Sequence, residues 1–369
     1  MKKLFLGMAA VALLLAACDD NESTSIQEQE IDMSDFYVYT DADVDEAARS
    51  AKTKGESKSC YTMVNLNRLL NEDSGLEKRM YNIEYNTRAF IAARKPDNPG
   101  GGNGGGSGDG GGGGTGTDGI IPYGNFSGNT IPVVFHVIYS ASSENIPDAQ
   151  LSEQINALNE DFSASNPNRG KIPVDFEGLE ANLGVNFELA GVVRTQNTKK
   201  KSWRPDDSMK FSSSGGSDVI EPEHYLNIWV VNNMPYQGGT ILGYAQFPGG
   251  SWSTDGIVLG SRFVGNTSYS TGRTATHEIG HWMNLRHIWG DGPCGYDDFV
   301  ADTPEADSYN SGCPSYPGPT SCSTAEMFMN FMDYTSDTCM NLFTNGQKAR
   351  MAAQFTNAGF RKNMGISIN

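Results

Sequence analysis

Three of the chain's five histidines fall within eleven residues, His277-Glu278-Ile279-Gly280-His281-Trp282-Met283-Asn284-Leu285-Arg286-His287. No other segment restricts the fold so strongly. On a helix, His277 and His281 lie one turn apart on one face, which puts both imidazoles within reach of one zinc ion. Glu278 flanks them, poorly placed as a third ligand but able to touch a zinc-bound water. In a continued helix His287 would lie about 9 Å beyond His281 and about 120° around the axis, out of reach. The helix must therefore stop near Asn284 and turn sharply. Such a stop usually takes a residue at positive φ, glycine first and asparagine next. Three imidazoles plus water make a catalytic tetrahedral site with an open position. A closed structural zinc site, the other reading, favours cysteine, and none lies in this run. His136, inside a strand pattern, and His224, just before another, lack ligand spacing and read as packing residues.

The flanks decide how much of the chain folds around this motif. The sequence has 369 residues, and 14 of its 43 glycines lie between positions 100 and 119. That local excess marks a flexible linker. At the start, Lys2 and Lys3, the apolar run of residues 4–15 and Leu15-Ala16-Ala17-Cys18 make an export signal too short to span a bilayer permanently. The expected organisation is a signal peptide over 1–17, an acidic tether and helical segment over 18–96, a linker over 97–119 and a catalytic domain over 120–369. The formal charge is −17, with 12 basic against 19 acidic residues up to position 119 and 15 against 25 beyond it. Neither part offers an obvious surface for phosphate backbones, so nucleic acid is not an expected partner. No other apolar run is long enough to cross a membrane.

Cys294, Cys313, Cys322 and Cys339 crowd into 46 residues. In an exported chain they read as two disulfides, with three pairings possible. Cys60 is left over.

Between these landmarks the pattern is α+β. Residues 61–93 read as helical, carrying Leu66, Leu69, Leu70, Leu76, Met80 and Ile83 at threes and fours. Strands are expected over 131–139, 185–192, 225–231, 241–247 and 256–259. Asp148 is expected to cap a helix bearing Leu151, Ile155, Leu158 and Phe162. The motif helix should begin near Gly272, and a last helix should run from Thr344 to about Phe355. Residues 291–319, rich in Gly, Pro and Asp, form a long loop.

The residues around the motif resemble the metzincin metallopeptidases, and most closely the pappalysin family with its bacterial cytophagalysin- and ulilysin-like members. The likeness is carried by Gly272-Arg273-Thr274-Ala275-Thr276, Ile288-Trp289-Gly290-Asp291, Asp302-Thr303-Pro304 and Met329-Asn330-Phe331-Met332-Asp333-Tyr334, within residues 131–355. Asn284 departs from the commoner glycine, though similar bacterial members carry asparagine there too. Leu-Ala-Ala-Cys is similar to the bacterial lipobox, in which Cys18 becomes lipidated. The alternative is an ordinary signal beside a cysteine. Asp19, Asp20 and Glu22 resemble the surface-export signal of Bacteroidota-type lipoproteins.

The resemblance implies a metzincin fold: a twisted mixed sheet, an active-site helix, a loop-rich disulfide-stapled C-terminal subdomain and a small helical pro-segment upstream. It implies that Met332 forms the Met-turn floor under the metal and that Tyr334 helps hold the oxyanion. The cysteine pairing it implies is crossed, Cys294–Cys322 and Cys313–Cys339. It places Asp337 at the base of the pocket for the residue after the scissile bond, which would favour Lys or Arg there. It implies structural calcium near Asp297, Asp298, Asp302 and Thr303. It gives Cys60 a role as a thiolate that blocks the zinc and keeps the enzyme latent.

The expected protein is an exported, lipid-anchored zinc endopeptidase made as a zymogen, monomeric, acting on proteins or peptides, with its catalytic domain released after processing. It meets the membrane through its N-terminal lipid only, at the outer membrane or cell surface. The rivals are a surface binding protein or adhesin using the same fold without turnover, and a non-proteolytic zinc hydrolase.

Overall fold

A computed structural model describes residues 30–39, 60–94, 119–236 and 239–368. The signal segment, Cys18, most of the tether, Lys95 and the glycine linker up to residue 118 lie outside the described residues. By contacts the chain divides into Met1–Asp32 and Met33–Asn369, and every element below belongs to the second.

The helical pattern of residues 61–93 forms two helices, α1 (Thr62–Glu72) and α2 (Leu76–Ala93). Asp73 breaks it by turning extended, and its carboxylate accepts from Gly75 N at 2.9 Å. Met63, Leu66 and Leu70 of α1 and Leu76 and Met80 of α2 bury one face around Val38 and Phe247.

Five strands form the main sheet: β1 (Thr130–Tyr139), β2 (Asn186–Gln196), β3 (Leu226–Val231), β6 (Gly243–Ala245) and β7 (Ile257–Gly260). Between β3 and β6, a separate ribbon pairs β4 (Pro235–Tyr236) with β5 (Gly239–Thr240). The main sheet runs in the order β2-β1-β3-β7-β6, parallel except for the antiparallel edge strand β6. β2 is longer than its expected 185–192, because residues as far as Gln196 pair with β1. The rim strand is shorter than its expected 241–247.

Strand alternation sends Val133, Phe135 and Val137 to one face, where α3 (Asp148–Phe162) and α4 (Arg273–Trp282) cover them. Ile138, Trp229 and Val258 face a second cluster with Trp203, Met209 and Tyr244. Asp148 does not cap α3. Pro147 occupies that position, and Asp148 is the first helical residue, its carboxylate paired with Arg194. His136 is the packed strand residue expected of it, bonded to Ser217 and Asn227 at 2.7 and 2.8 Å and stacked on Trp229.

Beyond α4 the chain is mostly loop until α5 (Asn345–Ala353), which opens on a capping box between Thr344 and Gln347. The disulfides pair crosswise, Cys294–Cys322 and Cys313–Cys339, as the resemblance implied. The four cysteines staple the loop between the third motif histidine and α5.

Candidate zinc-peptidase site

α4 is fixed at both ends. At its start Asp337 Oδ2 accepts from Ser270 Oγ, Thr271 N and Arg273 N at 2.9, 2.8 and 3.2 Å. A carboxylate there also meets the positive end of the helix dipole. At its end Leu285 N bonds back to Gly280 O and Asn284 N to His281 O, both at 2.9 Å, with Asn284 at φ 76°. This is a Schellman stop with asparagine in the left-handed position, and it turns the chain so that His287 points back.

Each imidazole is held through Nδ1. His277 Nδ1 lies 2.8 Å from Phe331 O, His281 Nδ1 lies 2.8 Å from Leu285 O, and His287 Nδ1 pairs with the Asp291 carboxylate. The three Nε2 atoms then face one another at 3.1, 3.2 and 3.3 Å. Tetrahedral Zn–N bonds of about 2.0–2.1 Å separate ligand nitrogens by about 3.3–3.4 Å, so the donor set fits zinc. Burial and the neighbouring imidazoles push His281 well below its usual range, which keeps it the neutral donor a ligand must be.

Cys60 completes the set. Its Sγ is 3.6 Å from His281 Nε2 and 3.4 Å from Glu278 Oε2. Burial and the Glu278 charge push the free thiol up. The charge of a bound zinc acts the other way and favours thiolate. The segment leading into α1 reaches this point by pairing with the edge strand β6: Tyr61 N donates to Gly243 O at 3.1 Å, and Cys60 forms a parallel bridge with Gly243. Thr62, which the sequence reading left without a role, donates to Glu278 Oε2 at 2.8 Å and accepts from Ala245 N at 2.7 Å. Glu278 itself is buried, and burial raises its carboxyl to about 7, against the lowering pull of Thr62, Cys60 and His287.

Met332 lies under α4. A Cβ on Gly280 would come within 2.4 Å of Met332 Sδ, so the bare glycine makes room for the methionine. The Tyr334 ring stands 4.9 Å from His287 and 5.6 Å from His277 and lines a small cavity with Cys60, Leu242, Thr274, His277 and Glu278.

The acidic loop is spread out. Asp297 Oδ1 accepts from Phe299 N, Asp298 from Val300 N and Thr303 Oγ1, and Asp302 from Thr344 Oγ1 and Gly346 N at the start of α5. Among the described residues, the acidic, histidine or cysteine groups whose ligand atoms all lie within 4.8 Å of one another are Cys60 with the three histidines, and Cys294 with Glu305 and Cys322. Asp297, Asp298 and Asp302 do not converge in this way. Asp291 was missed as an orienting group, though its place four residues after His287 signals the contact.

Comparison with known proteins agrees with this geometry. A family model described as pregnancy-associated plasma protein-A, peptidase M43, matches residues 213–356. An extracellular metalloprotease of Arthroderma benhamiae is 34% identical over 235 residues, spanning 61% of this chain and 77% of that protein. Extracellular metalloprotease 1 of Coccidioides posadasii is 35% identical over 239 residues, spanning 61% and 76%. Mature mirolysin of Tannerella forsythia, solved with a cleaved peptide, is 42% identical with a TM-score of 0.61, covering 65% of this chain and 96% of that one. A promirolysin mutant from the same organism is 35% identical with a TM-score of 0.66, and covers 83% and 96%. The share of this chain that is matched rises when the pro-form is the comparison. With its three converging imidazoles and its mixed-sheet fold, the chain belongs to the pappalysin-like M43 family of metzincin zinc metalloendopeptidases.

Proposed function

We propose that this chain is an extracellular endopeptidase held latent by its own pro-segment, with His277, His281 and His287 as zinc ligands. The observation that carries the reading is the meeting of three Nε2 atoms and Cys60 Sγ beside Glu278. A bound zinc supplies Lewis acidity that makes a water nucleophilic near neutral pH. Glu278 takes the proton of the attacking water and hands it to the leaving amine. Tyr334, packed against two of the imidazoles, donates its hydroxyl to the developing oxyanion. A substrate strand pairs with β6 once the pro-segment has left it.

Asp337 gives the pocket beyond the scissile bond its preference for Lys or Arg. Its bond to Arg273 N sets it beside Thr274, which lines the cavity. Cys60 enforces latency as the fourth ligand. Residues 18–96 form the tether and pro-segment, 97–119 the linker and 120–369 the catalytic domain, anchored through lipid on Cys18. Cleavage between about residues 90 and 119, for example at Arg94 or Lys95, frees the zinc and releases a monomeric enzyme. Calcium near Asp297, Asp298, Asp302 and Thr303 rests on resemblance alone.

Soluble residues 19–369, with a Glu278→Ala control, are incubated with a diverse peptide mixture before and after limited proteolysis, and the cuts are mapped by mass spectrometry. Cuts before Lys and Arg, only after processing and only with Glu278, are expected. Equal cutting by the unprocessed chain would remove latency from the reading, and absence of Glu278-dependent cuts would remove the site roles.

A further inference from the structure

A second charged site lies beside the zinc-ligand loop. The Phe299 ring is flanked by the guanidinium of Arg286 at 4.8 Å and that of Arg350 at 5.7 Å. Both arginines are buried, in a chain of net charge −17. Among the described residues, apart from a bond of Arg350 Nη1 to Phe299 O at 3.2 Å, their hydrogen-bond partners come from the segment upstream of the linker. Arg350 Nη1 and Nη2 grip Glu84 Oε1 and Oε2 at 3.0 and 2.7 Å. Arg286 donates to Tyr37 O and stacks 4.3 Å from the Tyr37 ring. Among the described residues, neither arginine forms an ion pair with a carboxylate beyond residue 119. The acidic side chains nearby have other bonds: Asp291 with His287, Asp298 with Thr303, Asp297 with Phe299 N. Among the described residues, Arg286 Nη1 and Arg350 Nε are buried with no hydrogen-bond partner. A buried guanidinium with spare donors calls for an anion, and the paired geometry on Glu84 shows that a carboxylate fits.

We propose that Arg286 and Arg350, around Phe299, form a carboxylate-binding subsite of the processed enzyme. It engages a Glu or Asp of a protein substrate at a fixed distance from the bond that is cut. The inference rests on departure of the pro-segment, which now fills the subsite with Glu84 and Tyr37. Bidentate pairing to Arg350 supplies most of the selectivity. The Phe299 face and Arg286 favour an aromatic residue beside the acidic one, as Tyr37 packs on both of them. In the zymogen the same groups seat the pro-segment, so one surface serves first for latency and then for selection.

The test uses the zinc-loaded chain after processing, acting on a denatured protein mixture, with cuts mapped by mass spectrometry. Asp and Glu should be enriched at one fixed displacement from the cuts, with sites bearing them cut about tenfold faster. Arg350→Gln should abolish that enrichment, and Arg350→Lys should restore part of it. Should Arg350 variants fail to fold, binding to processed Glu278→Ala protein answers the question. A labelled peptide of residues 76–93 should bind about tenfold tighter than its Glu84→Gln form. Cuts without positional acidic enrichment, together with equal binding of the two peptides, overturn the subsite and leave the peptidase reading intact. Unequal peptide binding without any Glu278-dependent cuts supports the subsite and overturns the peptidase reading instead.

Discussion

Thr62 Oγ1 donates to Glu278 Oε2 at 2.8 Å while accepting from Ala245 N at 2.7 Å, so one side chain ties the candidate base to the rim strand. The Cys60 thiol approaches the same carboxylate at 3.4 Å. The proposed latch then has two components that touch one group and should not add independently. Cys60→Ala should raise the activity of the unprocessed chain, Thr62→Val should raise it less, and the pair should couple by about 0.5–3 kcal/mol. Initial rates on a quenched peptide give the cycle. A double variant as silent as the wild type would remove both residues from the latch.

Removing the base should separate chemistry from metal binding. Glu278→Ala is expected to lower kcat of the processed enzyme about 10²–10⁴-fold with zinc content unchanged. Metal analysis beside the rate assay checks both halves. Loss of the zinc itself would assign the carboxylate a structural task.

His277 and His281 are oriented by main-chain carbonyls, which no substitution deletes, but His287 is oriented by Asp291. Asp291→Asn should weaken zinc binding about 10–100-fold, read by competition with a chelator. Unchanged affinity would mean that the turn after Asn284 holds His287 alone.

The helix stop and the methionine beneath it make opposite demands on side-chain size. Asn284→Gly should leave stability within about 0.5 kcal/mol, whereas Asn284→Val, at φ 76°, should cost about 1–2 kcal/mol. Gly280→Ala, whose Cβ would meet Met332 Sδ at 2.4 Å, should cost about 1–3 kcal/mol. Unfolding midpoints of the zinc-loaded zymogen order the three. A stable Gly280→Ala protein would show that Met332 moves freely.

Acid should loosen the pro-segment from α5. Burial alone would raise the Glu84 carboxyl, but Arg350 and Arg88 more than offset it and bring the group from 4.5 to about 2. A depressed folded value gives stability that is present above pH 4.5 and lost as pH falls towards 2. The stability gap between wild type and Glu84→Gln should thus be up to about 3 kcal/mol above that range and close towards pH 2. A gap independent of pH would show that Glu84 acts by shape and not by charge.

The parts of this site legible in the sequence are those governed by local geometry. Helix rise and twist required the stop at Asn284, and Thr344 announced α5 by its cap. The helical reading of 61–93 held, but the break at Asp73 was not legible, because hydrophobic spacing runs straight through a turn that interrupts the backbone and not the apolar stripe. Asp148 was misassigned because a good capping residue stood one position after the proline that holds the cap site. The bond of Asp302 to Thr344 at the start of α5 was not legible either, because 42 residues separate the two in sequence. Thr62, Arg286 and Arg350 escaped notice because their meaning lies in partners more than 180 residues distant. No local pattern encodes such pairings.

The crossed bridges carry a consequence about where this enzyme can come into being. Cys294–Cys322 and Cys313–Cys339 overlap in sequence, and the second closes over Met332 and Tyr334. In a reducing compartment these four thiols stay unpaired, and the loop between His287 and α5 lacks both of its staples. The loop that carries Met332 and Tyr334 is therefore closed only where thiols are oxidised, so the folding of this part of the chain reports the redox state of its surroundings.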